Sequence, residues 1–310
     1  MKVLFTGATG VLGRVSVPLL VSDGHDVTAV SRSEGDAAWL EAIGARPAHV
    51  DLFDQDSIRS AIGGIDTVIH FATSIPPQAA MTKRESWTMN DRLRRDTTRL
   101  LVDAALAGNV ERFIQQSVTL IYADGGEGWL DEHARVEPVW NVLDSAIEAE
   151  AQVARFQEHG GTGIVLRLSR LYGPDKASAE FISAAKARQL PVVGKGDNYV
   201  SSIHSQDAAN ALRASLSVPG GTYNVTDDEP VTAAAYAQIL AEAVGATNPR
   251  RVPTVFAKLA MRESAGLVTI SHRVTNRKFK DVAGWEPRFT SVRQGWADIV
   301  GESRSESAYE

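Results

Sequence analysis

The chain reads as an α/β protein: a doubly wound parallel sheet with a smaller, mostly helical lobe at its C-terminal end. Three observations predict this. Short β-branched runs alternate with helix-length segments through residues 1–171, and parallel strands need such crossover connections. The first run, residues 3–6, ends in a glycine-rich turn that leads straight into a helix-like segment. The rhythm then breaks at Tyr172-Gly173-Pro174, after which helices predominate. The expected division is a sheet domain over 1–171, a second lobe over 172–301 that shares elements with it, and a frayed polar tail over 302–310.

Each element follows from local pattern. Residues 12–20 form the first helix and 25–31 (HDVTAVS) the second strand, followed by an Ala-rich helix containing Trp39 and Leu40. Residues 48–50 are a third short strand, closed by Asp51-Leu52; 58–62 are helical and 67–71 the fourth strand. After Pro76-Pro77 a long helical stretch runs to about Gly108, with Leu93, Leu100, Leu101 and Ala104 spaced for one buried face. Phe113-Ile114 opens a fifth strand reaching Ser117 or beyond, 146–156 is helical, and 163–168 is the sixth strand. In the second lobe, short strands are expected near 199–203 and 222–225.

Composition removes several classes of function. With 310 residues the chain can bury a sizeable core. Lys plus Arg number 32 against 38 acidic residues, a net charge of −6, so no basic surplus exists to neutralise a nucleic acid. The absence of cysteine excludes disulfides, thiolate metal sites and a Cys nucleophile, and seven dispersed histidines without an H-E-x-x-H helix predict no metal. Neither a G-K-[ST] loop nor a G-x-S-x-G elbow occurs. No apolar run approaches the roughly 18 residues of a membrane span. With Gly7 too early for a signal peptide core, the expectation is a cytoplasmic protein whose sequon Asn224-Val225-Thr226 stays unused.

The most informative segment is Thr6-Gly7-Ala8-Thr9-Gly10-Val11-Leu12-Gly13. Glycines between a strand and a helix allow a tight turn and close backbone approach to a pyrophosphate, which sits on the helix's free N–H groups. The spacing is G-x-x-G-x-x-G, and its context marks a Rossmann-type dinucleotide site with Gly7, Thr9, Gly10, Val11, Leu12 and Gly13 as cofactor-binding residues. At the tip of the second strand stand Ser31 and Arg32, with no carboxylate before Glu34. A hydroxyl and a guanidinium suit a 2′-phosphate, so NADP(H) is expected rather than NAD(H). The alternatives are a ligand-free glycine turn and a solvated surface arginine.

These segments, with VIHFAT at 68–73, RFIQQSVTLIYAD at 112–124, VLRLSRLYGP at 165–174, SSIHSQDAANAL at 201–212 and VAGWEPRFTSVRQGW at 282–296, resemble extended short-chain dehydrogenases/reductases of the NAD-dependent epimerase/dehydratase type. The resemblance covers almost the whole chain. It implies that Asp51 and Leu52 flank the adenine, that Ala72 and Thr73 line the inner ribose and phosphates, and that Arg167 and Tyr172 lie near the substrate lobe. His204 and Asp207 match a segment of structural character.

The family's chemistry uses a Ser or Thr and a Tyr four residues before a Lys. Aligned through Ala146-Ile147-Glu148-Ala149-Glu150, those positions fall on Val118, Val142 and Ala146. Independently of alignment, no tyrosine occurs between Tyr122 and Tyr172 and no lysine between Lys83 and Lys176. The usual proton donor is missing, a loss of about 10²–10⁴-fold in rate. Hydride transfer survives where the cofactor is presented to a carbonyl. A ketone bearing an acidic hydroxyl beside its carbonyl could supply the proton itself, and apolar Val118, Val142 and Ala146 suit a flat aromatic ligand, with Trp87, Trp129 and Trp140 in segments that could border it. The sequence therefore resembles atypical ketoreductases that tailor angucyclinone-like aromatic polyketide antibiotics by substrate-assisted catalysis.

The expected activity is NADPH-dependent reduction of a phenolic, polycyclic ketone. Alternatives are a non-catalytic NADP(H) sensor or scaffold and a sugar-nucleotide epimerase or dehydratase. Ser117 is the foremost candidate for a residual donor, ahead of Thr119, Tyr172 and His204, although a hydroxyl bonded to local backbone is an equal reading of Ser117. A small-molecule ketone is the expected partner, with no nucleic acid or membrane, and a homodimer is the assembly that family members favour.

Overall fold

Seven parallel strands form the central sheet of the computed structural model, which describes residues 1–77 and 80–306. They are β1 (Lys2–Thr6), β2 (Asp26–Val30), β3 (Arg46–Ala48), β4 (Thr67–His70), β5 (Arg112–Val118), β7 (Thr162–Leu168) and β12 (Gly221–Val225), in the order β12-β7-β5-β4-β1-β2-β3. Central strands are buried on both faces, which is why they read as continuous apolar runs rather than alternating ones. Pro47 sits in the edge strand β3, where a missing N–H costs the ladder least.

Helices cover both faces. On one side α1 (Val11–Ser22) packs against α8 (Ser205–Ser215), burying Val17, Leu20, Ala211 and Leu212 with Phe5 and Ile69. On the other, α3 (Gln55–Ile62), α5 (Thr98–Ala107) and α6 (Asp144–Glu158) enclose Leu4, Val68, Leu101, Phe113 and Phe156. The helix α2 (Glu34–Ala42) starts at Ser33, whose side chain accepts from Asp36 N.

The smaller lobe is centred on Tyr172, Tyr236, Leu240 and Trp296, between α7 (Lys176–Lys186), α9 (Ala233–Ala243) and the last helix (Val292–Glu306). Four two-stranded ribbons tie it together: β6 (Trp129–Leu130) with β15 (Arg273–Val274), β8 (Arg170–Tyr172) with β11 (Ser202–His204), β9 (Val192–Val193) with β14 (Arg251–Val252), and β10 (Tyr199–Val200) with β13 (Val231–Thr232). The two regions are interleaved, because β12 pairs along β7 at the sheet edge and α8 lies on α1. The expected strand near 199–203 is two strands broken at Ser201, whose Oγ donates to His272 O. The last helix reaches Glu306, so 302–306 are helical rather than frayed, and 307–310 of the expected tail lie outside the described residues.

The long helix departs from its expected periodicity. Between α4 (Thr88–Arg92) and α5 stands a π turn, Leu93–Thr97. A π turn adds a residue and rotates the phase of what precedes it. Leu100, Leu101 and Ala104 are buried as expected, but Leu93 is only half-buried and Arg94 points inward in its place. The turn also presents Leu93 O to His70 Nε2 at 3.0 Å. Since a carbonyl only accepts, Nε2 carries the proton and Nδ1 accepts from Thr6 Oγ1. Burial holds this imidazole neutral, its pKa lowered to about 4.

Candidate active site

The glycine turn sits where β1 meets α1, at the carboxyl edge of the sheet. Gly7 has φ +82°, and a Cβ there would lie 2.5 Å from Phe71 C and 2.6 Å from Ala72 N. A Cβ on Gly13 would lie 2.3 Å from both Ala8 O and Gly7 O. The chain leaving β4 therefore crosses directly over the turn, which only glycine permits. Gly10 precedes α1 in extended conformation without a side-chain cap, and the first turn of the helix holds no acidic residue. Its N–H groups are free for an anion. Thr9 is half-buried, Val11 is exposed at the rim, and Leu12 is buried beneath it. Ala72 is half-buried and Thr73 exposed on the facing strand exit. Backbone that would be filled by any Cβ, beside an uncapped helix end, fits a dinucleotide pyrophosphate.

At the adenosine side, Ser31 is buried with its N–H on Ala48 O at 3.0 Å, and Arg32 next to it is exposed, with no ion pair among the described residues. A second arginine was not foreseen. Arg14 donates to Thr9 O at 3.2 Å, pairs with Asp36 at 2.8 Å and lies 4.8 Å from the centre of the Trp39 ring. Its place directly after the third glycine was the available signal. Asp51 caps a turn by accepting from Phe53 N at 2.9 Å, and Leu52 O accepts from Thr97 Oγ1 at 2.9 Å.

The three positions where proton-handling residues were sought come together in space. Val118, Val142 and Ala146 belong to one apolar cluster with Trp87, Ile121, Trp140 and Leu143. Val118 ends β5, Val142 lies in the turn Asn141–Leu143, and Ala146 opens α6. Trp87 and Trp140 meet edge-to-face at 6.0 Å, and Leu267 reaches the cluster from the smaller lobe. Trp129 lies elsewhere, half-exposed under Arg273.

Ser117 is turned away from this cluster. It is fully buried and donates to Glu150 Oε1 at 2.6 Å. Glu150 takes Arg167 Nε at 2.9 Å and Nη2 at 2.6 Å, Arg167 Nη1 donates to Tyr122 OH at 2.8 Å, and Tyr122 donates to Asn224 Oδ1 at 2.7 Å. Burial works against the Arg167 charge, but the bonds and charge of Glu150 outweigh it and hold the guanidinium above its usual range. Burial pushes the Tyr122 phenol up to about 12. This network ties β5, α6, β7 and β12 together, and it buries the asparagine of the sequon. Thr119 meets Ser169 at 3.3 Å. Tyr172 and His204 meet edge-to-face in the smaller lobe, ring centres 5.3 Å apart, where burial raises the phenol and lowers the imidazole to about 4. Asp207, in the first turn of α8, accepts from Arg288 N and Phe289 N, a structural clasp. Ser117 and Thr119 flank Val118 in the chain but spend their hydroxyls on Glu150 and Ser169, and Tyr172 belongs to the core of the smaller lobe.

A parallel sheet with an uncapped glycine turn at its carboxyl edge defines a dinucleotide-binding protein. Residues 3–226 match the NAD dependent epimerase/dehydratase family, and the chain belongs to it. It is 31% identical over 314 residues to a 3-diazoavenalumate denitrifying reductase from a Streptomyces species, covering 95% of this chain and 99% of that one. It is 27% identical over 252 residues to a 4-hydroxy-2-methyl-3-oxo-4-farnesyl-3,4-dihydroquinoline-1-oxide ketoreductase of Stigmatella aurantiaca, covering 79% and 74%. In fold it is similar to a dTDP-glucose 4,6-dehydratase from Streptomyces venezuelae with NAD bound (TM-score 0.81, 20% identity, 100% and 98% covered). A human epimerase family protein with NADPH is also similar (TM-score 0.78, 19% identity, 97% and 99% covered).

Proposed function

We propose that the chain is an NADP(H)-dependent reductase whose substrate manages its own proton. One observation carries this reading: the glycine cradle opens at the same sheet edge where Val118, Val142 and Ala146 gather into an apolar cluster. When bound, the reduced nicotinamide supplies hydride. Gly7, Gly10 and Gly13 hold the pyrophosphate against α1, and Arg32, with Arg14 across the turn, meets the 2′-phosphate. Val118, Val142, Ala146, Trp87 and Trp140 exclude water and seat a flat aromatic ring.

A phenolic polycyclic ketone suits such a surface. Its carbonyl carbon gains hydride, its carbonyl oxygen gains the proton of the neighbouring hydroxyl, and the phenolate left behind is reprotonated by water. The ketoreductase relative supports a carbonyl substrate. A second acceptor class is favoured by the reductase matched over nearly both full lengths, whose name describes removing nitrogen from a diazo compound. An arenediazonium that takes up hydride and releases dinitrogen is balanced without any proton, so it too has no need of a tyrosine.

The test is NADPH consumption with product analysis on an ortho-hydroxy polycyclic ketone, its O-methyl ether and an arenediazonium. Reduction of the free phenol but not of the ether supports the ketone reading, and loss of dinitrogen from the diazonium supports the second. Equal turnover of phenol and ether would place the proton donor on the protein. Tight NADPH binding with no turnover of any of the three would favour a sensor.

A further inference from the structure

The inward face of the long helix is polar over its first half, before α5. Asn90 is fully buried, Arg94 is 2% exposed, and they stand one turn apart. Asn90 Oδ1 accepts from Ser74 N at 3.1 Å, directly after Ala72 and Thr73 at the cofactor rim. Its Nδ2 has no partner, nor does Arg94 Nε. Asp91 pairs with Arg84 through one oxygen at 2.7 Å and leaves the other unpartnered. Arg94 makes no hydrogen bond or ion pair among the described residues.

The carboxylates of Asp91 and Glu150 offset part of the cost of burying this guanidinium, but among the described residues neither stands within ion-pair distance of it, and an apolar side chain of similar volume would be cheaper. Burial lowers Arg94 only to about 10, so it is charged at neutral pH. The π turn that aims it inward packs against α6, the helix opened by Ala146. The orphaned atoms are two donors and one acceptor, a set that matches a phosphate oxygen beside a sugar hydroxyl.

We propose that Arg94, with Asn90, binds the nicotinamide-side ribose and adjoining phosphate of NADP(H), supplying from the π turn the positive charge that Ala146 cannot. This rests on the dinucleotide reading above. The test titrates wild type, Arg94→Lys and Arg94→Met with NADPH and with adenosine 2′,5′-bisphosphate, which lacks the second ribose. Arg94→Met is expected to weaken NADPH about tenfold or more, Arg94→Lys to retain most of the affinity, and the bisphosphate to bind all three alike. The ligand-free Tm of Arg94→Met should match or exceed that of wild type, while its NADPH-induced rise shrinks. Unchanged NADPH affinity, or parallel loss of both ligands, would overturn the assignment. Failure of wild type to bind NADPH would overturn the dinucleotide reading, and this inference with it.

Discussion

The glycine turn and the apolar cluster, both at the carboxyl edge of the sheet, are built on opposite terms. At the glycine turn, backbone crosses backbone so closely that no Cβ fits at Gly7 or Gly13. At the other end, Val118, Val142 and Ala146 form an ordinary apolar cluster, and the neighbouring buried polar groups are bonded to one another in the Ser117–Glu150–Arg167–Tyr122 network. Binding a dinucleotide depends on backbone shape, which tolerates no change. Proton handling depends on a few side chains, which can be lost without disturbing the fold.

The most severe break in that contrast is Gly13→Ala. Its Cβ would meet two carbonyl oxygens at 2.3 Å, so NADPH binding should fall below detection in a titration, with a lowered Tm. Acidification comes next. His70 is held neutral in the fold, with a pKa of about 4 against 6.5. Above 6.5 both states are neutral and the full stability is present. As pH falls below that, the unfolded chain takes up a proton the native state refuses, so on the order of 3 kcal/mol is lost by about pH 4. His204, also lowered to about 4, loses stability over the same range, so melting curves should show the combined decline and His70→Gln should remove only its share.

Arg32→Ala sharpens the comparison at the adenosine end. It should weaken NADPH about 10- to 100-fold and leave NADH nearly unchanged, as read by binding titration; equal losses would remove the 2′-phosphate assignment. Restoring Tyr at 142 and Lys at 146 should cost about 1–3 kcal/mol through overpacking beside Trp87 and Trp140, without raising turnover. Ser117→Ala should be mildest. Activity should stay within a few-fold and stability fall by about 1 kcal/mol, the bond to Glu150 being what is removed.

The sheet and the glycine turn are legible because each is local, as is the absence of tyrosine from 123–171 and of lysine from 84–175. A glycine spacing after an apolar run, or the absence of a residue type from a stretch, needs no tertiary knowledge. The inward turn of Arg94 was not legible, since Leu93 offered the expected period and only the π turn moves it aside. Nor was the bond of Ser117 to Glu150, which depends on how α6 lies across β5 and β7. Arg14 was passed over because a cation after three glycines reads as surface until Asp36 and Trp39 are seen folding back on it.

The seating of β12 beside β7 also dictates how the polypeptide can be divided. A fragment stopped at residue 171 would forfeit both the outermost strand and the helix lying on α1, leaving Ile164, Leu166 and Leu168 beside a raw edge open to self-association. Late-synthesised residues must therefore arrive before the earliest ones are properly covered.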